Sequence, residues 1–288
     1  MKDLNYQLMK LCRDNRDGSY STQANRSRIL DLMANQLSEL GYRRMQAKSL
    51  KPKHVDALVS LWKEKGISIG TMKNRLSALR WWAKKINKPG IIAKDNNAYA
   101  IGNRTNISEE SKAQYLNAKT LSKISDPYVR LSLLLQAAFG LRREEAIKFR
   151  PGYAIKGDHI KLKPSWTKGG RARAVPITNG RQWALLAAVR KLARGGSLIP
   201  PKLKYVEQMN RYDYQVSKAG LKNPHGLRHA YAQRRYLELS SWKAPAAGGP
   251  ASKSLTSDQR ALDKGAREKV SQELGHSREQ ISAVYLGR

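Results

Sequence analysis

The chain has a single cysteine, Cys12, in 288 residues. That excludes an internal disulfide framework and a cysteine-rich zinc site, and it favours a reducing compartment. Acidic side chains are scarce as well: 22 Asp and Glu stand against 55 Lys and Arg, a net charge of +33. So large an excess is more than solubility requires and points to a polyanionic partner, nucleic acid first among them. Long hydrophobic runs are missing too. The notable apolar stretch, Leu131 to Gly140, is too short to span a bilayer, and the opening Met1-Lys2-Asp3-Leu4-Asn5-Tyr6 lacks the apolar core of a signal peptide. The expectation is a cytoplasmic protein with no membrane partner. Histidine is rare, five in all, so where it falls carries information.

The positive charge is not confined to a tail. Residues 1–110 carry 21 basic and 10 acidic side chains and residues 111–288 carry 34 and 12, giving +11 and +22. Both halves are therefore expected to touch double-stranded DNA. The chain exceeds the usual size of one hydrophobic core, which predicts two domains. In residues 1–88 apolar side chains recur at helical spacing, as in Val55, Leu58, Val59, Leu61 and Trp62, or Met72, Leu76, Leu79 and Trp82. This reads as a basic helical DNA-binding domain, with Ser21-Thr22 as a cap for its second helix and at least one of Trp81 and Trp82 in its core. Residues 89–112 are rich in turn formers and amides and read as a linker.

Residues 113–288 read as a second, mixed domain, so the whole is mainly α with a small antiparallel β-sheet. Gly140 ends one helix and places Arg142 at the start of the next. Residues 159–163 and 172–177 alternate like strands, with Lys168-Gly169-Gly170 at the tip of the hairpin between them. Helices dominate from residue 181, apart from Ser240 to Ser257, whose Ala, Gly, Pro and Ser content reads as a flexible excursion.

Four short motifs in this domain carry chemistry: Gly140-Leu141-Arg142, Thr167-Lys168-Gly169, His225-Gly226-Leu227-Arg228-His229 and Leu274-Gly275-His276, followed by Tyr285. Three of the five histidines fall inside them. Together they offer a nucleophilic hydroxyl, two guanidiniums, an ammonium and imidazoles, the groups needed to attack a phosphodiester, hold its charge and protonate the leaving oxygen without a metal. The planar forks of Arg142 and Arg228 suit the non-bridging oxygens of a scissile phosphate. Lys168, on a turn, is placed to protonate the departing 5′ oxygen if neighbouring guanidiniums depress its pKa. Any one of these residues alone is an ordinary surface charge, and His229 reads as a packing residue beside Arg228.

The ordered set resembles the tyrosine recombinase, or phage integrase, family. On that resemblance Arg142, Lys168, His225, Arg228 and His276 form the catalytic set and Tyr285 is the nucleophile. Residues 115–288 are similar to the family's catalytic domain, and the helical domain to its core-binding domain. The resemblance implies a C-shaped clamp on DNA, a 3′-phosphotyrosine intermediate, and rejoining with no cofactor, ATP or metal. It further implies a homo-tetramer on paired DNA sites, accessory DNA-bending or directionality proteins, and a bacterial or phage origin near the nucleoid, in the service of a mobile element. The chain departs from the pattern in a longer spacing between Arg228 and His276, as if residues 240–265 were inserted. It also departs in the short Leu286-Gly287-Arg288 after Tyr285. With no room before the helical domain for the extra arm-site-binding domain of some phage integrases, the expectation is a simpler recombinase acting on core sites. Two other readings use the same residues: relaxation of DNA like a type IB topoisomerase, and DNA binding without catalysis on the same fold.

Overall fold

The structure, a computed structural model, describes residues 3–103, 107, 110–276 and 279–288, with residues 279 and 280 described by backbone alone. It divides into two compact units, Met1–Thr105 and Asn106–Arg288.

In the first unit four helices, α1 (Asp3–Asp14), α2 (Tyr20–Glu39), α3 (Pro52–Glu64) and α4 (Ile69–Lys85), enclose one core. The Ser19 and Ser68 hydroxyls cap α2 and α4 by accepting the Thr22 and Thr71 amides, and Pro52 opens α3 where no amide is needed. The cap of α2 thus lies two residues before Ser21. The two tryptophans divide the work. Trp82 is buried and donates to the Ala47 carbonyl at 3.0 Å. Trp81 is half-buried at the edge of the core, donating to Asp17 at 2.9 Å beneath the Arg26 guanidinium, 4.3 Å from its ring centre.

The expected linker begins too early. Residues 89–103 belong to the first unit: they form 3-10 turns at Pro89–Ile91 and Asn96–Tyr99, and Ile92 and Ile101 are buried in its core. Arg80 ties them to α4 by donating to the Ala93 carbonyl at 2.8 and 3.0 Å. Amide-rich composition is compatible with packing once two isoleucines anchor it. Residues 104–106 and 108–109 of that stretch lie outside the described residues.

The second unit contains α5 (Ala118–Ser122), α6 (Pro127–Phe139), α7 (Arg143–Ile147), α8 (Pro151–Ala154), α9 (Gly180–Ala193), α10 (Tyr205–Lys218), α11 (Gly226–Ser240), α12 (Ser257–Glu273) and α13 (Ala283–Leu286). Between α8 and α9 runs an antiparallel sheet of β1 (Ile155–Lys156), β2 (His159–Leu162) and β3 (Arg173–Pro176), in that order, with Ile160 opposite Val175 and Leu162 opposite Arg173. The two longer strands lie where alternation put them; β1 is too short to show a period. The central helix is α11, buried at every position from Gly226 to Gln233 and packed on α6, α12 and α13. A helix enclosed on all sides holds its polar side chains in place, and two of them are Arg228 and His229.

The segment 240–257 is not a flexible excursion. It folds as 3-10 turns at Pro245–Ala247 and Ser252–Ser254, with Ala244, Ala246 and Leu255 buried. A Cβ on Gly249 would sit 1.7 Å from the Lys243 carbonyl oxygen, so here the small residue permits backbone apposition. Asp263 on α12 accepts from the Tyr236 hydroxyl at 2.5 Å and from Arg267 Nε at 2.8 Å, and Arg267 Nη1 reaches the Gly287 carbonyl at 2.8 Å. Residues 257–265, the rest of the expected insertion, are the first half of α12. Among the described residues no helix is long and apolar enough to cross a membrane.

Candidate active site

Gly140 sets the geometry. It ends α6 at φ +61°, and a Cβ there would meet Tyr231 Cδ1 at 2.5 Å. The turn it allows delivers Arg142 to the N-cap of α7, where the Glu145 carboxylate accepts both the Arg142 amide at 2.7 Å and its Nη1 at 2.9 Å. Glu145 is fully buried. Its second partner is Arg173 on β3, whose two Nη atoms bind its two oxygens at 2.6 Å each while Nε donates to the Glu273 carbonyl at 2.8 Å. Burial pushes the Glu145 carboxyl upward, but the hydrogen bonds and charge of Arg173, with Arg228 and Arg142 behind, outweigh it and hold the group at about 2.

Arg228, in the first turn of α11, is 1% exposed. Its Nη1 donates to the Gly140 carbonyl, its Nη2 to the Leu274 carbonyl and to His276 Nε2 at 3.1 Å, and its Nε to the Tyr285 hydroxyl at 3.3 Å. Burial lowers it to about 10, so the guanidinium stays charged at neutral pH. Because an arginine only donates, His276 Nε2 accepts, and the His276 proton resides on Nδ1.

The run Leu274-Gly275-His276 is a helix ending. Leu274 caps α12, Gly275 turns at φ +69°, and the His276 amide returns to the Ser271 carbonyl at 2.9 Å. Tyr285 on α13 is 5% exposed. Its ring centre lies 4.5 Å from that of His229, 5.5 Å from His276 and 6.0 Å from His225, and its hydroxyl is 3.5 Å from His225 Nε2. Gln233 fixes its backbone by donating to the Tyr285 carbonyl at 3.0 Å.

Five of the six expected site residues, Arg142, His225, Arg228, His276 and Tyr285, are thus in one neighbourhood. Lys168 makes no contact with them. It is exposed on the β2–β3 connection, beside Gly169 and Gly170 at φ +82° and +66°, with no hydrogen-bond or ion-pair partner among the described residues. His229 packs its ring on Tyr285, and its buried Nδ1 is without a partner among the described residues. The sequence reading missed Glu145, Arg173 and Glu273. Glu145 had a signal, an acid three residues after a helix cap. Arg173 had one too, a charge on the inward phase of a strand, together with Val175.

The fold is shared with DNA-bound recombinases. A lambda integrase dimer bound to a COC′ core site superposes with TM-score 0.61 at 16% identity, covering 98% of this chain and 76% of that one. The XerH site-specific recombinase bound to a palindromic difH substrate gives 0.58 at 20%, over 99% and 81%. The Tn1549 transposon integrase in complex with circular intermediate DNA gives 0.56 at 16%, over 98% and 95%. No curated protein matches in sequence. Two family models do: "Phage integrase, N-terminal" over residues 1–88 and "Integrase" over residues 97–234. The chain belongs to the tyrosine recombinase family. The second match ends before His276 and Tyr285, so it does not bear on those two residues.

The three imidazoles give the fold an expected pH response. Burial is the largest cause lowering all three imidazoles: His276 to about 3, with Arg228 and Arg142 adding, His229 to about 4, with His225 adding, and His225 in the same direction, with Arg228 adding. The unfolded chain takes up these protons near the usual 6.5, whereas the folded chain holds out to lower pH. Stability therefore falls as pH drops from about 6.5 toward 4. Glu145 contributes undiminished in the upper part of that window, because its loss begins only below its usual 4.5. Thermal midpoints measured from about pH 7 to pH 4 should decline, with a shallower slope in His276→Gln. A profile flat over that window would contradict the buried, neutral imidazoles.

Proposed function

We propose that this chain is a site-specific DNA recombinase in which the Tyr285 hydroxyl attacks a phosphodiester, forming a 3′-phosphotyrosine and freeing a 5′ hydroxyl, and that the reverse step rejoins strands. The observation that carries the reading is the Tyr285 hydroxyl itself, 3.3 Å from Arg228 Nε and 3.5 Å from His225 Nε2 in a buried, cationic pocket. In the forward step the bond from the tyrosine oxygen to phosphorus forms and the bond from phosphorus to O5′ breaks. Neutral His225 accepts the hydroxyl proton. Arg142 and Arg228 stabilise the charge on the non-bridging oxygens, and the Lys168 ammonium supplies the proton to O5′. Bound phosphate takes over the Arg228 Nε contact that Tyr285 holds in the free chain. Lys168 is carried inward when DNA engages the β2–β3 connection, with Gly169 and Gly170 as its pivots.

Both domains bind the duplex, the helical residues 1–88 and the catalytic residues 113–288, as the charge of each half supports. The chain acts as a homo-tetramer on two sites and serves the integration or excision of a mobile element. Support comes from relatives of the same fold, which include a lambda integrase tetramer bound to a Holliday junction and a transposon integrase.

The test is to incubate purified protein with DNA from its own genomic neighbourhood and map where the two become covalently joined. Adducts are expected at discrete sites, through a 3′ phosphate, with exchange of strands between paired sites. Cleavage should persist in excess chelator. Supercoil relaxation without sequence preference would replace this reading with a topoisomerase, and activity lost in chelator and restored by magnesium would replace it with metal-assisted hydrolysis.

A further inference from the structure

We infer that Arg173 is a positioning residue: by saturating Glu145 it prevents that carboxylate from capturing Arg142, and so keeps the Arg142 guanidinium available to phosphate. The inference rests on the recombinase reading above and deepens it.

A carboxylate offers about four acceptor directions, two on each oxygen. In Glu145 all four are taken. Oε1 receives Arg142 Nη1 and Arg173 Nη1, and Oε2 receives the Arg142 amide and Arg173 Nη2. The shares are unequal. Arg173 takes the paired, parallel geometry at 2.6 Å on each arm, the stronger arrangement. Arg142 is left with a single side-chain bond at 2.9 Å, and its Nε and Nη2 have no partner among the described residues. The Arg142 side chain is 24% exposed, against 4% for Arg173 and 0% for Glu145. Arg173 is thus the buried counter-ion and Arg142 the group that faces outward.

Charge leads to the same conclusion. Arg142, Arg173 and Glu145 together leave one positive charge at the mouth of α7. Without Arg173 the sum is zero, and Glu145 presents two unpaired lone pairs in a setting where unpaired acceptors are costly. The nearest donor is Arg142. Its guanidinium would fold onto Glu145 as a fork, withdrawing donors and charge from the phosphate side together.

Arg173 is held where this works. It sits on the inward phase of β3, its Nε is anchored to the Glu273 carbonyl, and Gly275 leaves room for it, since a Cβ there would approach Arg173 Cδ to 2.8 Å. One side chain therefore registers the strand that follows the Lys168 turn, the cap of α7 and the turn that carries His276.

The experiment is single-turnover formation of the Tyr285 adduct on a nicked duplex carrying a mapped site, with either a normal phosphodiester or a methylphosphonate at the scissile position. A methylphosphonate has no negative charge to neutralise, so a defect that acts through Arg142 shrinks on it. Arg173→Met should slow the adduct on the normal duplex by about tenfold or more, approaching the loss from a directly acting donor, while DNA affinity holds. On methylphosphonate its deficit and that of Arg142→Ala should shrink together. Glu145→Gln introduced into Arg173→Met should recover rate, because an uncharged amide no longer neutralises Arg142. Arg173→Lys, which keeps the charge but not the fork, should fall between wild type and Arg173→Met, and it gives the same reading if the Met variant does not fold. A wild-type rate in Arg173→Met overturns the inference. So does a deficit, in the Met or the Lys variant, that is equal on both substrates and unrelieved by Glu145→Gln, for then Arg173 merely supports the fold. Failure of the wild-type chain to form any adduct would strike at the recombinase reading instead, and is read from a different lane of the same gel.

Discussion

Tyr285→Phe should abolish covalent protein–DNA adducts while leaving DNA affinity near that of wild type. The substitution removes one oxygen from a side chain that is 5% exposed and packed against His229, so the ring keeps its contacts. What disappears is the proposed nucleophilic hydroxyl, with its contacts to Arg228 Nε and His225 Nε2. Those contacts are long, 3.3 and 3.5 Å, so their loss costs the fold no more than about 1 kcal/mol. Denaturing gels of labelled duplex, read beside a binding isotherm, separate the two effects. Adducts persisting at wild-type level would move the nucleophile to another of the 13 tyrosines.

A second large effect is expected at Lys168, where Ala should slow cleavage by about a hundredfold or more, the usual worth of general acid catalysis. Binding should barely change, since one exposed ammonium among 55 basic side chains is a small part of the attraction to DNA. A duplex with sulfur in place of the bridging 5′ oxygen discriminates the role, because a thiolate leaves without a proton. Lys168→Ala should cleave that duplex at close to the wild-type rate, whereas Arg142→Ala, which loses stabilisation of the non-bridging oxygens, should remain defective. Equal defects of Lys168→Ala on both duplexes would make Lys168 a DNA-positioning residue. The acid would then be sought at His276, which would have to donate from Nδ1, its Nε2 being engaged by Arg228.

The parts of the site legible in the sequence are those that local backbone rules place. Gly140 as a left-handed helix end, Arg142 as a cap and Leu274-Gly275-His276 as a C-terminal turn each follow from a few adjacent residues, and motif order then joins them. Lys168 was legible as a turn residue, but its lack of any contact with the others was not, because motif order carries no information about how a turn sits on the fold. The Glu145–Arg173 pair escaped because its members are 28 positions apart on different elements, and only the tertiary fold brings them together. Composition misled twice, at 89–103 and 240–257. In both stretches Gly, Asn, Ala and Pro suggested loops, while a few buried side chains, Ile92, Ile101, Ala244 and Leu255, hold the backbone against its unit. Small residues mark close apposition as often as freedom, and without a partner surface the two look alike.

The bond from Arg267 to the Gly287 carbonyl changes how residues 240–273 are to be regarded by anyone redesigning the chain. Arg267 is braced by Asp263, Asp263 by Tyr236, and Tyr236 by the indole of Trp242, so a strut runs from the end of α11 through α12 to the residue two places beyond Tyr285. Shortening the stretch to a more usual length would remove the brace rather than trim an ornament. Grafts and fusions belong at a surface that bears no such load, since the backbone just beyond Tyr285 is held in part from this segment.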